Sequence, residues 1–338
     1  MMRFFCLFSS VLLVACTDGP KDGRNSVTLK GQALGTTWMV KALSFKPVDE
    51  DKLRNKIAAK IEESERILSH WRPDSKLYQF NASLSNDPIA IPPLLHELLT
   101  HAKWTHEQTG GAFDPTIAPI VNLWGFGPVS DNRTGTPTVE EINNALGQVG
   151  MNQLEILTND RVRKKIPSLQ IDLSGSAKGE IIDQVCALLD RRGIGNYLVE
   201  IGGEIRTRGS GKDERGWRVG LEDGFRGSER FTLSLRDYSV ATSGTYRQSK
   251  PNPDSAKPAT HLIDPRTGRP VEHDLVAVNV LAPTARDADA LATALMILGP
   301  DQGMALAEEM DLSARFCLEG ANGTRMILSP TYQRLFAE

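Results

Sequence analysis

Apolar and polar positions alternate over residues 27–30 and 37–43, the period-two mark of strands, with Gly35 in the turn between them. Leu53, Ile57, Ile61, Ile67 and Leu68 recur at helical spacing, which predicts a helix over 49–68 with Asp49 as its cap. A second helix over 92–109 starts on prolines and stops at Gly110-Gly111. A short helix over 139–146 and strands near 154–157, 162–166 and 170–173 follow, and then a helix over 177–191 that ends at Gly193. Short runs at 197–201, 204–208, 217–221, 231–235 and 238–242, separated by polar and glycine-containing turns, predict an antiparallel meander. A strand at 276–281 leads into a helix at 287–298, and the chain closes with further helix, two strands and a last short helix. The expected class is α+β, with antiparallel or mixed sheets covered by helices in one compact unit of two joined lobes spanning 26–338.

The first residues follow another pattern. Residues 1–15 carry one cation, Arg3, and then a short apolar run, which reads as an export signal too short to span a bilayer. Leu13-Val14-Ala15-Cys16 resembles the bacterial lipobox, so Cys16 is the expected acylation site and residues 16–25 a polar tether from the membrane. An ordinary signal peptide with an incidental cysteine is the other reading. Of four cysteines, only Cys186 and Cys317 then remain in the fold; helical spacing makes Cys186 a buried thiol, and a disulfide between the two is open. The 338 residues are 40% hydrophobic and 24% charged with net charge −3, and no basic stripe points to nucleic acid.

Four segments carry candidate chemistry: 31–38, 110–127, 172–179, and 261–268 followed by 287–293. Asp289 and Thr293 lie four apart on a helix, so their oxygens can share a hard cation, although such spacing by itself more often marks a helix surface pair without ligand. Asp172 to Gly179 runs from strand through small residues into a helix, presenting unpaired N–H groups to an anion, with the Lys178 charge beside them. It lacks the P-loop spacing, and Gly202-Gly203 lacks the triple-glycine spacing of a dinucleotide fold. His261 precedes Asp264-Pro265 in a strand-to-turn setting where an imidazole could reach a cleft or serve structure alone.

Six runs occur in order: Gly110-Gly111-Ala112-Phe113-Asp114-Pro115-Thr116-Ile117, Asp172 through Gly179, Val199 through Glu204, Ala241-Thr242-Ser243-Gly244, His261 through Gly268, and Ala288 through Ala294. Together they resemble the signatures of the ApbE-type FAD:protein FMN transferases. That resemblance implies a magnesium ion held by Asp289, Thr293 and the carbonyl of Ala177, and His261 as the base that takes the acceptor's proton while AMP leaves. It implies FAD contacts at Leu34, Thr36, Trp71, Ala112, Asp114, Ser174, Lys178, Glu180 and Ile263, with Leu34 and Glu180 departing from the residues usual in relatives. It further implies FAD as FMN donor, and as acceptor a threonine or serine in a subunit of a membrane redox complex or a flavin-carrying reductase. The enzyme would be a lipid-anchored protein on the periplasmic side of a bacterial membrane, with the inner membrane favoured. The alternatives are a magnesium-dependent FAD pyrophosphatase, in which water replaces the protein hydroxyl, and a non-catalytic FAD-binding lipoprotein.

Overall fold

The computed structural model describes residues 23–129, 135–212, 214–224, 231–253, 255, 257–320 and 323–336. The expected signal at 1–15 and the acylation site Cys16 lie outside the described residues.

One eight-stranded sheet runs through the molecule, in the order Asn25–Ala33, Thr36–Ser44, Tyr197–Ile201, Glu204–Arg208, Ser239–Gly244, Leu275–Ala282, Ser313–Gly320 and Gly323–Leu328. Every neighbouring pair is antiparallel. Alternation along each strand sorts its side chains between two cores. Trp38, Val40, Val199 and Ile201 point into the main core, whereas Met39, Leu43, Leu198 and Ile205 point to the opposite face. Gly31 pairs with Trp38, and a Cβ there would stand 2.5 Å from the indole, so the ring lies over bare backbone.

Among the described residues eight α-helices cover the sheets: α1 Glu50–Leu68, α2 Lys76–Ala82, α3 Pro93–Gln108, α4 Ala118–Leu123, α5 Val139–Leu146, α6 Ala177–Asp190, α7 Ala285–Glu309 and α8 Pro330–Phe336. Asp49 caps α1, accepting from the Lys52 N–H at 3.0 Å. Buried residues of α1, α3 and α6 fill the main core, while α7 builds a second core with the strands Leu275–Ala282 and Ser313–Gly320. α7 is long and apolar enough to cross a membrane by composition, but over half of its most apolar stretch is buried in the protein. Its helical pattern breaks at Gly299 (φ 76°) and Pro300, which is why the sequence periodicity stops at 298 although helix resumes to Glu309.

Two expectations need correction. Residues 170–173 are not a strand: Asn81 clamps Ile171 from both sides, donating to its carbonyl and accepting from its N–H at 2.8 Å each. A side chain thus replaces the ladder. The meander is broken as well, because Trp217–Leu221 and Phe231–Leu235 leave the main sheet to form their own hairpin. The hairpin uses Trp217, Val219, Leu233 and Leu235 to cover the sheet's otherwise exposed apolar face, and Ser239–Gly244 returns to pair with Glu204–Arg208. α2 escaped the periodicity because only Leu77 and Phe80 of its seven residues are buried. Cys186 and Cys317 are both free and buried, so the disulfide left open by the sequence does not form.

Candidate active site

The first wall of the site is the turn between the first two strands. Ala33 pairs with Thr36, leaving Leu34 and Gly35 as a two-residue loop with φ of 53° and 68°. Both central residues are left-handed, which matches a type I′ turn, where asparagine and glycine are the usual choices. Leucine there costs roughly 1–2 kcal/mol of backbone strain. Thr36 faces the glycine turn 202–203: a Cβ on Gly202 would meet its Cγ2 at 3.0 Å.

The second wall is the junction of α6 and α7. Asp183 accepts from the N–H groups of Ala285 and Arg286 at 3.0 Å, fixing the start of α7 against α6. One turn earlier on α6, the Gly179 N–H donates to Asp289 Oδ2 at 3.0 Å. A Cβ on Gly179 would stand 2.3 Å from the Ala285 carbonyl oxygen, so the crossing admits glycine alone. Thr293 Oγ1 donates to the Asp289 carbonyl at 3.1 Å and lies 3.3 Å from Ser243 Oγ. Gly175 closes onto the same threonine, with a Cβ position 3.0 Å from its Oγ1. Asp289, Thr293 and the 174–177 turn therefore converge, and Ala177 is the first residue of α6.

Asp289 is 4% exposed. Burial pushes its carboxyl up to about 6, with the Lys178 cation pulling down and the Glu204 carboxylate pushing up. Among the described residues no group of three or more His, Cys, Asp or Glu side chains forms a metal cage. One carboxylate, a hydroxyl on the next turn and backbone carbonyls are hard oxygen donors, too few to enclose an ion. Such a set suits magnesium, which keeps waters and takes its remaining oxygens from a phosphate substrate.

Lys178 Nζ reaches Glu204 Oε1 at 2.5 Å, and Glu204 is 1% exposed with Oε2 lacking a protein partner. In the sequence Glu204 is the last residue of the 199–204 run, and no spacing there marks it for a role. Glu200, four residues earlier, accepts from the Gly203 N–H at 2.8 Å, and burial raises it to about 7. Arg247 was missed altogether. It donates to the Gly202 carbonyl at 2.9 Å and pairs with Glu222 at 3.4 Å.

His261 faces this charged wall. Its backbone N–H and its Nδ1 both meet the Gln248 carbonyl, at 3.3 and 3.2 Å, and Phe126 abuts the ring edge-on. Nδ1 must carry the hydrogen to donate to that carbonyl, which leaves Nε2 with a lone pair. One edge reaches solvent, but the ring is packed among protein groups. Desolvation first, then the Arg247 and Lys178 cations, hold it down at about 4, so it is neutral at physiological pH, with the Nε2 lone pair unprotonated.

The remaining expected contacts divide by what the structure does with each side chain. Trp71 is 54% exposed beside His70, free to stack on a planar ring rather than buried in the core. Ser174 is exposed at the turn, its N–H donating to Asp172 Oδ1 at 2.8 Å. Ala112 and Ile263 are buried in apolar clusters and offer a ligand backbone only. Asp114 is 8% exposed and accepts from both the N–H and the hydroxyl of Thr116, at 2.8 and 2.6 Å, so its carboxylate shapes the loop. Glu180 is spoken for by Gln184 at 2.8 Å and Arg286 at 3.2 Å. It lies two residues from Lys178 on α6, hence on the opposite side of the helix.

A family model described as the ApbE family matches residues 34–316. The chain belongs to that family. Among curated relatives, the FAD:protein FMN transferase of Klebsiella pneumoniae is 32% identical, with 98% of this chain and 97% of the relative aligned. The Vibrio cholerae protein of the same name is 35% identical, over 98% of each chain. Among solved structures, the flavin transferase ApbE from Vibrio cholerae superposes with a TM-score of 0.84 at 35% identity, covering 92% of this chain and 99% of that one. The apo flavinyl transferase ApbE of Pseudomonas stutzeri gives 0.86 at 32% identity, covering 93% and 98%. The α+β architecture expected from the sequence is thus the ApbE fold, and this ApbE-family chain is a transferase.

Proposed function

We propose that the protein transfers the FMN half of FAD onto a serine or threonine hydroxyl of an acceptor protein, with magnesium, releasing AMP. The observation that carries this reading is the neutral His261, whose Nδ1–H is fixed on the Gln248 carbonyl so that Nε2 is left to take a proton beside the Lys178 and Asp289 wall. The acceptor oxygen attacks the phosphorus on the FMN side and its proton passes to Nε2; the bond to the bridging oxygen breaks and AMP departs with that oxygen. Lys178 supplies a cation for the diphosphate from a helix N-terminus. Asp289, Thr293 and the Ala177 carbonyl would hold the magnesium, which when bound neutralises the diphosphate and polarises the attacked phosphorus. Trp71, Leu34, Thr36 and Ser174 line the turns that would receive the FAD.

Incubation with FAD, magnesium and a candidate acceptor, followed by mass measurement of the acceptor, tests the proposal: a flavin-phosphate adduct on a hydroxyl residue supports it. Free FMN and AMP without adduct would make the enzyme a pyrophosphatase. His261→Ala should lower turnover by about 100-fold or more, the usual worth of a general base, with FAD affinity largely kept. Unchanged turnover would remove His261 as the base, and absence of turnover in the parent protein would leave only a flavin-binding protein. We also infer that Cys16 is acylated and that the enzyme works on the periplasmic side of the membrane. The acceptors would then be subunits of membrane redox complexes or flavin-carrying reductases, whose hydroxyls lie within its reach.

A further inference from the structure

At the end of the sheet opposite the Leu34-Gly35 turn, a groove of about 620 Å³ opens between the end of strand Thr36–Ser44, the start of α1 and the turn after α6. Its wall carries Arg24, Lys46, Lys52, Lys56 and Arg192 against one carboxylate, Asp49. Asp49 is occupied in capping α1, and the adjacent Asp51 pairs with Arg54 at 2.5 Å. Among the described residues no carboxylate forms an ion pair with Lys46, Lys52, Lys56 or Arg192, although the whole chain is net negative. Phe45, on the same rim, is 75% exposed. Cations surrounding a projecting aromatic ring suit a surface that is anionic outside and apolar just beneath.

We propose that this groove docks on the anionic phospholipid surface of a bilayer and sets the enzyme's orientation there. The inference rests on the reading of Cys16 as the anchored residue. The described chain begins at Gly23 with Arg24 already in the groove wall. Six residues separate Cys16 from Gly23, so the seven Cα–Cα steps between them span at most about 25 Å, and the face nearest the anchor is this basic one. The strand Thr36–Ser44 runs nine residues from the site to the groove, roughly 26 Å at strand rise. Docking by the groove therefore holds the cleft away from the lipid, facing an acceptor's protruding domain.

The test uses the chain from Thr17 to Glu338, which contains every described element, and vesicles of phosphatidylcholine alone or equimolar with phosphatidylglycerol. The chain should co-sediment with the anionic vesicles only, and added salt should release it. Lys46→Glu, Lys52→Glu and Arg192→Glu together should weaken partitioning at least about 100-fold, from about fivefold for each cation near the surface, with unchanged Tm and unchanged flavin transfer to a soluble acceptor. Phe45→Ser should weaken it further. Equal binding to both vesicle types, no binding, or an unaffected triple variant would overturn the proposal. So would displacement by inorganic phosphate at constant ionic strength, which would make the groove a small-anion site. The mass of Cys16 in protein taken from membranes reports on the anchor separately, so its failure and the failure of the docking surface are told apart.

Discussion

Gly179→Ala adds one methyl group at the point where α6 crosses the start of α7. Its Cβ would stand 2.3 Å from the Ala285 carbonyl oxygen, 2.6 Å from the carbonyl carbon and 2.8 Å from the Arg286 Cα, all of them backbone atoms. No side chain can swing aside, so α7 must retreat by about 1 Å to restore ordinary van der Waals contact. The retreat pulls on the Asp183 contacts to Ala285 and Arg286 and on the Gly179 to Asp289 hydrogen bond. Overpacking of this kind costs typically about 1–3 kcal/mol, a fall of several degrees in Tm for a domain of this size. The functional effect should be larger. Asp289 and Thr293 ride on α7, and a misplacement of about 1 Å can cost about 100-fold in rate. The assay is flavin transfer at saturating FAD over a magnesium titration, beside thermal unfolding without ligands. Expected are a higher magnesium requirement and a rate lower by roughly two orders of magnitude that excess metal does not restore. A variant with parental Tm and parental rate would refute the reasoning, since it would show that the helices do not meet at this glycine.

Asp289 sets a pH dependence: its folded value of about 6 lies above its unfolded value, so in metal-free protein its contribution, up to about 3 kcal/mol, is present at low pH and lost as pH rises through about 6. Magnesium needs the ionised form, so the metal-induced rise in Tm should be large near pH 7.5 and small near pH 5, where affinity is about tenfold weaker; equal shifts at both would reject Asp289 as a ligand. Leu34→Gly should relieve the left-handed turn and raise stability by up to about 1 kcal/mol in a urea titration, while weakening FAD binding as the side chain is lost; a drop in stability would show that leucine packing outweighs its strain. Glu180→Gln should leave FAD affinity within about twofold, since its carboxylate serves Arg286 and Gln184, but should lower Tm through the broken buried pair; a large affinity loss by calorimetry would return Glu180 to the site.

Much was legible from sequence because it is local. Helical spacing located α1, α3 and α6, alternation located the strands of the main sheet, and a four-residue interval placed Asp289 and Thr293 on one side of α7. Ordered motifs then carried the family. What periodicity could not carry is which partner each polar group finds, because pairing joins residues far apart in the chain and burial decides its strength. Gly179 and Asp289 are 110 positions apart, and Lys178 and Glu204 are 26. The carboxylates of Asp114 and Glu180 meet Thr116 and Arg286 with Gln184, partners that no motif names. The two outlying strands left the meander because an apolar sheet face needed cover, a demand that exists only once the sheet has formed. The sequence by itself determined the elements, their class and the chemical groups available. The tertiary structure alone decided which polar groups meet, with what charge, and that His261 keeps its lone pair on Nε2, since desolvation and hydrogen-bond direction are properties of assembled surroundings.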